Sequence, residues 1–209
     1  MNRIPRTATL VITAVTSLAW LIAVALGLND QAAIAMGFIP ARLSGVPIDV
    51  PAVPAFLTPL SATLVHGNFI HLAFNMLMLV WCGTQVERVL GRTGLVGLYL
   101  VGAYAAAAAQ WLANPHGIVP MVGASGAISA VVGAFALSFG RAKRVTSSVR
   151  LNHWINVAWL LAAWVVLQMM VGWTAGGEGY LLATPAHIGG FLAGLLLQRP
   201  LLLWRYRTA

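Results

Sequence analysis

Apolar runs long enough to cross a membrane recur along this 209-residue chain and restrict its fold more than any other feature. About 20 apolar residues span the hydrocarbon core of a bilayer as an α-helix. Charged residues make up 8% of the chain and apolar residues 60%, whereas roughly 25% of a typical soluble domain is charged. The sequence therefore predicts an all-α, polytopic membrane protein. One domain is expected over residues 1–209, with six spans at about 8–28, 57–82, 94–113, 122–140, 153–173 and 184–203.

The basic residues predict how these spans are oriented, because short cytoplasmic loops are enriched in Lys and Arg. With a cytoplasmic N-terminus, 11 of the 12 basic residues fall in cytoplasmic segments and only Arg42 falls outside. The eleven are Arg3, Arg6, Arg88, Arg92, Arg141, Lys143, Arg144, Arg150, Arg199, Arg205 and Arg207. Both termini are therefore expected in the cytoplasm. The net charge of +8 follows from this topology, and no nucleic-acid partner is expected.

Cysteine and histidine positions argue against a metal site. Cys82 is the only cysteine, which excludes an internal disulfide and a thiolate cluster. His66 and His71 are five residues apart, a poor spacing for two ligands on one helix, and no carboxylate lies near them in sequence. We expect no metal and no other cofactor, and we interpret Cys82 as a small buried residue.

Two apolar spans begin with small residues around one polar side chain. Gly123-Ala124-Ser125-Gly126 begins the fourth span, and Ala186-His187-Ile188-Gly189-Gly190 begins the sixth. Such a serine is usually a packing residue. If both spans cross in the same direction, however, the hydroxyl and the imidazole lie at similar depth. A serine nucleophile and a histidine base are the minimum needed for acyl transfer.

His187 has the position expected of a general base. Thr184 is predicted as the N-cap of the sixth helix and Pro185 as part of its first turn. A helix N-terminus and a buried site both disfavour a positive charge, so we expect a neutral imidazole that can accept a proton. Of the four acids, only Glu178 is placed where it could orient His187 as the third member of a catalytic triad. The sequence therefore predicts a dyad rather than a triad.

Polar side chains are concentrated in the outer half of the second span, at His66, Asn68, His71 and Asn75. Polar groups inside a membrane usually face a bundle interior or a wet cavity. His71 and Asn75 are four residues apart and share a helix face. Two interpretations remain open, namely hydrogen bonds between helices and donors for a developing oxyanion. Free backbone amides at the start of the fourth helix would add to such a site.

Small residues predict which spans pack together. Ser125, Ser129 and Gly133 recur every four residues, so the fourth span is expected to be central. Gly190 and Gly194 allow a second helix to approach closely. We therefore expect the fourth and sixth helices to pack in parallel.

The connecting segments carry two further predictions. Glu87 to Arg92 is typical of a helix end with a glycine stop at Gly91, and Glu87 is expected to pair with an arginine or to cap a helix. Residues 29–56 form a long, proline-rich loop. This loop is either a membrane-surface segment or a stiff connector.

Three motifs taken in order resemble the rhomboid family of intramembrane serine proteases. They are His66-Gly67-Asn68-Phe69-Ile70-His71-Leu72-Ala73-Phe74-Asn75, then Gly123-Ala124-Ser125-Gly126, then Ala186-His187-Ile188-Gly189-Gly190 with Gly194. The resemblance implies a six-helix core with Ser125 as nucleophile and His187 as base. It also implies an oxyanion hole formed by His71, Asn75 and the backbone amide of Ser125.

The resemblance implies supporting roles as well. Gly123 would shape the turn before the serine, His66 would be structural or hold water, and Gly190 and Gly194 would pack the sixth helix on the fourth. Two departures stand out. The Trp-Arg pair that many members carry in the first outer loop is missing, and the tyrosine that some members carry four residues after the nucleophile is Ser129.

The implied reaction is hydrolysis of a peptide bond near the outer end of transmembrane segments of other membrane proteins. The expected partners are these substrates and the lipid bilayer, and the expected location is a bacterial plasma membrane. Two alternatives are an inactive relative that binds membrane clients and a transporter with a histidine proton relay. Inactive relatives usually lose the serine or the histidine. A transporter would be favoured by an inverted repeat, and the sequence shows none.

Overall fold

The computed structural model describes residues 7–47, 50–140, 144–174 and 183–207, without the side chains of 171–174. In this part of the chain the only extended pairing is an isolated bridge between Phe38 and Met121. The prediction of an all-α protein is confirmed. The α-helices are α1 (Ala8–Ala25), α2 (Asn29–Met36), α3 (Pro40–Leu43), α4 (Thr58–Ser61), α5 (Phe69–Met78), α6 (Thr84–Ala113), α7 (Ser125–Phe139), α8 (Val149–Thr174) and α9 (Thr184–Arg205).

Among the described residues, four helical segments are long and apolar enough to cross a membrane. They are Ala8–Ala25, Phe69–Ala113, Val149–Met170 and Thr184–Arg205. Two apolar segments are shorter, Ala55–Leu64 and Ser125–Phe139. The chain is therefore a helical, polytopic membrane protein as predicted, and the count of six spans stays a prediction.

The second span is not the single helix that hydropathy predicts from residue 57. Short helical turns run from Ala55 to Leu64, Val65 is extended, and α5 begins only at Phe69. The Asn68 side chain accepts a hydrogen bond from the backbone N–H of His71 at 2.9 Å. An N-cap of this kind starts a new helix, which explains the break.

Gly91 ends the second span, as the sequence predicts. The helical segment that includes α5 and α6 continues to Ala113, but Gly91 has φ +76° and interrupts it. Glycine adopts this left-handed conformation without strain. Arg205, at the end of α9, donates from Nη1 to the carbonyl oxygen of Arg88 at 2.7 Å, which satisfies a carbonyl at this helix end.

Glu87 caps a helix, which was one of its two predicted roles. Its carboxylate oxygens accept from the backbone N–H groups of Ala8 and Thr9 at 2.8 and 2.9 Å and from the Thr9 hydroxyl at 2.6 Å. A negative charge is favourable at a helix N-terminus. The contact ties α1 to α6 across 78 positions of sequence.

Replacing Glu87 with alanine is expected to lower the free energy of unfolding by about 3 kcal/mol, because two backbone amides and a hydroxyl lose a charged acceptor. Thermal unfolding in detergent measures this loss. Gln85 is a suitable control, since the one partner that its side chain has among the described residues is the Trp81 carbonyl oxygen, one turn earlier in the same helical segment. Gln85→Ala should change the stability by less than about 0.5 kcal/mol, and equal losses in the two variants would contradict the capping role.

Helix α7 lies at the centre of the bundle and packs against α6 and α9. A Cβ added at Gly190 would overlap the carbonyl oxygen of Gly126, and one added at Gly194 would overlap that of Ala130. The predicted close packing of the fourth and sixth helices is therefore observed. Helix α9 begins at Thr184 with Ala183 as N-cap, so the N-cap prediction for Thr184 was wrong by one residue. Pro185 fits the first turn of α9 whether Ala183 or Thr184 is the N-cap, because the backbone amides of a first turn have no partner within the helix.

The segment between α1 and α4 packs against the bundle. Its Phe38 and Ile39 side chains are 1% and 6% exposed. Arg42 donates to the carbonyl oxygen of Val53 at 2.7 Å and so holds the loop together. Cys82 is buried, in agreement with its interpretation.

Candidate active site

The structure brings Ser125 and His187 into direct contact. Ser125 is the first residue of α7, and His187 lies in the first turn of α9. The distance between Ser125 Oγ and His187 Nε2 is 2.9 Å, and each residue is 7% exposed. This is the separation of a hydrogen-bonded nucleophile and base. It arises because two parallel helices in close contact begin at the same level.

Gly123 shapes the turn that presents Ser125. Its φ of +111° lies in the region that favours glycine, and its N–H donates to the carbonyl oxygen of Ala62 at 2.9 Å. A Cβ at this position would lie 2.6 Å from His71 Cε1 and 3.6 Å from Asn75 Nδ2. The absent side chain therefore allows both polar groups of α5 to approach the turn.

His71 and Asn75 lie side by side on the buried face of α5 and are 4% and 0% exposed. Within the described residues, neither Oδ1 nor Nδ2 of Asn75 has a hydrogen-bond partner. A buried amide without a partner is costly and calls for an explanation. A ligand atom that accepts a hydrogen bond near Gly123 would provide one.

His66 connects the serine turn to α1 and α2. Its ring Nε2 accepts from the backbone N–H of Ala124 at 3.4 Å. Its carbonyl oxygen accepts from Trp20 Nε1 at 2.8 Å and from Asn29 Nδ2 at 3.2 Å. The His66 ring also contacts the His71 ring edge to face, with 5.0 Å between centroids. These contacts fit a structural role.

Two residues of α8 that the sequence interpretation did not place in the site contact it. Trp164 Nε1 donates to Ser129 Oγ at 2.7 Å, and Gln168 Nε2 lies 3.4 Å from His187 Nε2. Gln168 is 5% exposed. A glutamine within an apolar span, four residues from a tryptophan on the same face, is a signal that could have identified both.

Ser129 stands where some rhomboid family members carry a tyrosine, and its hydroxyl is hydrogen-bonded on both sides. Its hydroxyl donates to the carbonyl oxygen of Ser125 at 2.7 Å while it accepts from Trp164. A Cβ at Gly190 would lie 3.0 Å from Ser129 Cβ, so α9 approaches Ser129 closely.

The remaining expectations concern a third catalytic group and metals. His187 Nδ1 has no hydrogen-bond partner among residues 7–47, 50–140, 144–174 and 183–207. Glu178 lies outside these residues. The same part of the chain holds no group of three or more His, Cys, Asp or Glu side chains arranged to bind a metal ion.

Comparison with known proteins decides the family. The family profile described as the Rhomboid domain matches residues 55–204. The chain belongs to the rhomboid family. The match includes every residue of the site described above, from His66 to His187.

Individual relatives of this rhomboid family member are distant. RHOMBOID-like protein 5 of Arabidopsis thaliana is 29% identical over 144 residues, which are 69% of this chain and 43% of that protein. Rhomboid protein 1, mitochondrial, of Saccharomyces cerevisiae is 30% identical over 151 residues, 69% of this chain and 41% of that protein. Rhomboid protease GlpG of Pectobacterium atrosepticum is 28% identical over 138 residues, 66% of this chain and 45% of that protein. The chain thus spans less than half the length of these relatives.

Proposed function

We propose that this rhomboid family member is an intramembrane serine endopeptidase with a Ser125–His187 dyad. The 2.9 Å contact between Ser125 Oγ and His187 Nε2 is the observation that carries the proposal. Some relatives are named proteases, such as GlpG. An inactive client-binding protein remains the alternative. The intact dyad favours the protease, since a binding role needs no base beside a buried hydroxyl.

The first step is attack by Ser125 Oγ on the carbonyl carbon of the scissile bond. His187 Nε2 takes the hydroxyl proton as the new C–O bond forms. This requires the tautomer with its proton on Nδ1, so that the Nε2 lone pair faces the serine. His187 then returns the proton to the leaving amine, and a water molecule repeats the sequence to release the acyl group.

The negative charge that develops on the carbonyl oxygen needs hydrogen-bond donors. The backbone N–H of Ser125 is available because the first amides of a helix have no partner within it. Asn75 Nδ2 supplies a second donor and the His71 ring a third. Gly123 keeps the approach to these groups open. Donors fixed before the reaction stabilise the transition state without reorganising.

A fluorophosphonate probe tests the dyad without a transmembrane substrate. It reacts with serines that a base activates, so we expect labelling of wild type at Ser125. Ser125→Ala and His187→Ala should not be labelled. Ser138→Ala is a matched control, because Ser138 bonds to Gln198 away from the site, and it should be labelled like wild type. Unlabelled wild type, or labelling that survives Ser125→Ala, would refute the dyad.

Asn75→Ala is expected to lower kcat about 100-fold and to change KM little, because an oxyanion donor acts mainly in the transition state. Cleavage of a reporter transmembrane substrate in proteoliposomes measures both constants. Asn114→Ala, at an exposed turn, should behave like wild type. A rise in KM alone would instead assign Asn75 to ground-state binding.

The proposed substrates are transmembrane segments of other proteins, cut near their outer ends. A helical substrate hides its carbonyls in internal hydrogen bonds, so local unwinding must precede attack. We further propose cytoplasmic termini and a bacterial plasma membrane. Helix α9 supports this orientation, since His187 lies near its first residue and Arg205 is its last, and basic ends are typically cytoplasmic.

A further inference from the structure

A cavity of about 540 Å³ lies at the end of the bundle opposite the dyad. Thr7 and residues of α1, α6 and α9 line it, among them Arg88, Arg92 and Arg205. Arg205 follows His187 by 18 positions in α9, which is roughly 27 Å along a straight helix. The cavity is therefore separate from the active site, and nothing in the proposed reaction uses it.

The charge of this cavity is positive. Among the described residues that line it, Glu87 is the one acid beside three arginines, which gives these residues a formal charge of +2. The Glu87 oxygens already accept three hydrogen bonds from the start of α1. The carboxylate is thus used mainly by the helix cap, although it also attracts Arg92, and the net positive charge remains available for an external anion.

Donor groups are held at the cavity wall. Arg205 Nη1 donates to the carbonyl oxygens of Arg88 at 2.7 Å and Glu87 at 3.5 Å, which fixes the guanidinium in place. Its carbon Cζ would lie 3.6 Å from a Cβ at Gly91. A guanidinium has five N–H donors, so Arg205 keeps several after these bonds. The Thr7 hydroxyl accepts from the N–H of Leu10 at 3.2 Å and can donate its own hydrogen.

We propose that this cavity binds a phosphate group, carried by an anionic phospholipid. Guanidinium groups match the geometry of phosphate oxygens and pair with them in bidentate fashion. Basic pockets between membrane helices bind anionic headgroups, and the volume lies within the usual range for ligand sites. Free inorganic phosphate shares this chemistry and is the second source to be distinguished.

Native mass spectrometry of the full chain in detergent tests the site. The probes are phosphatidylglycerol and phosphatidylcholine with the same acyl chains. Wild type should retain one phosphatidylglycerol at least about ten-fold more tightly than phosphatidylcholine. Each arginine near an anionic headgroup contributes about five-fold in affinity. We therefore expect about 25-fold weaker binding in Arg88→Gln/Arg92→Gln and about five-fold weaker binding in Arg205→Gln.

Charge-matched variants distinguish lipid binding in this cavity from general electrostatic attraction between anionic lipid and a basic protein. Arg144→Gln/Arg150→Gln removes two exposed charges outside the cavity, and Arg207→Gln removes one beside Trp204. Both should bind phosphatidylglycerol within about two-fold of wild type. Thermal unfolding without lipid verifies that each variant folds. Equal weakening in the cavity and control variants, or equal retention of the two lipids by wild type, would overturn the proposal.

Competition with inorganic phosphate tests whether the bound phosphate group comes from a phospholipid or from free phosphate. Competition with phosphatidylglycerol at millimolar phosphate, lost in Arg88→Gln/Arg92→Gln, would support the phosphate site and assign it to free phosphate as well. Retention of the lipid despite phosphate would support a site for the lipid headgroup alone. Competition that is unchanged in Arg88→Gln/Arg92→Gln would place the phosphate elsewhere and count against the site.

Discussion

His187→Ala is expected to lower kcat/KM for a transmembrane substrate about 10⁵-fold, because Ser125 loses the group that takes its proton. Residues that act as a unit are not additive when removed. The double variant Ser125→Ala/His187→Ala should therefore be no less active than either single variant. Cleavage of a reporter substrate in proteoliposomes measures all three rates.

His116 provides the matched histidine control for this prediction. It lies exposed in the turn after α6, so His116→Ala should cleave within about two-fold of wild type. A double variant far less active than both single variants would show that serine and histidine act independently. Activity retained in His187→Ala would assign the base to another group.

Gly190→Ala is expected to lower the free energy of unfolding by about 3 kcal/mol and to lower the rate of fluorophosphonate labelling about 100-fold. The new methyl group would overlap the carbonyl oxygen of Gly126, so α9 must move away from α7. Ser125 and His187 sit on these two helices, and a displacement of about 1 Å costs roughly 100-fold in rate. One carbon atom should thus weaken both the fold and the site.

Gly97→Ala is the control, and it is expected to change the free energy of unfolding in the opposite direction. Gly97 lies within α6, and a Cβ there would have no atom within 4 Å. Alanine favours a helix over glycine by roughly 0.5–1 kcal/mol, so this variant should be slightly more stable than wild type. Thermal unfolding of both variants in one detergent measures the difference. A similar change in both would mean that helix propensity, not helix contact, determines the result.

The site could be predicted in large part because its signals are local. Ser125 and His187 each begin a helix next to small residues, and these glycines also decide which helices touch. The spacing of His71 and Asn75 fixes their common face on any helix. The short distance between Ser125 and His187 thus follows from short-range patterns, once the helices pack in parallel.

Other features depend on contacts that sequence patterns do not encode. The rotation of α8 decides whether Trp164 and Gln168 face the dyad, and a nearly uniform apolar helix carries a weak signal for its rotation. Glu87 could cap a helix or pair with an arginine, and only the position of α1 decides between them. The break before Asn68 was hidden because hydropathy averages over the polar cap and its apolar neighbours.

Under the proposed protease function, the short length of α7 sets how far a substrate must descend into the membrane. Its 15 residues measure roughly 22 Å, against about 30 Å for the hydrocarbon core. If its inner end lies near the inner boundary, its first residue lies about 8 Å beneath the outer boundary. A bond that enters the site must therefore leave the headgroup layer, and an extended chain covers that depth with two or three residues. The depth of the site in the membrane would by itself favour substrate segments whose helix unwinds over a single turn.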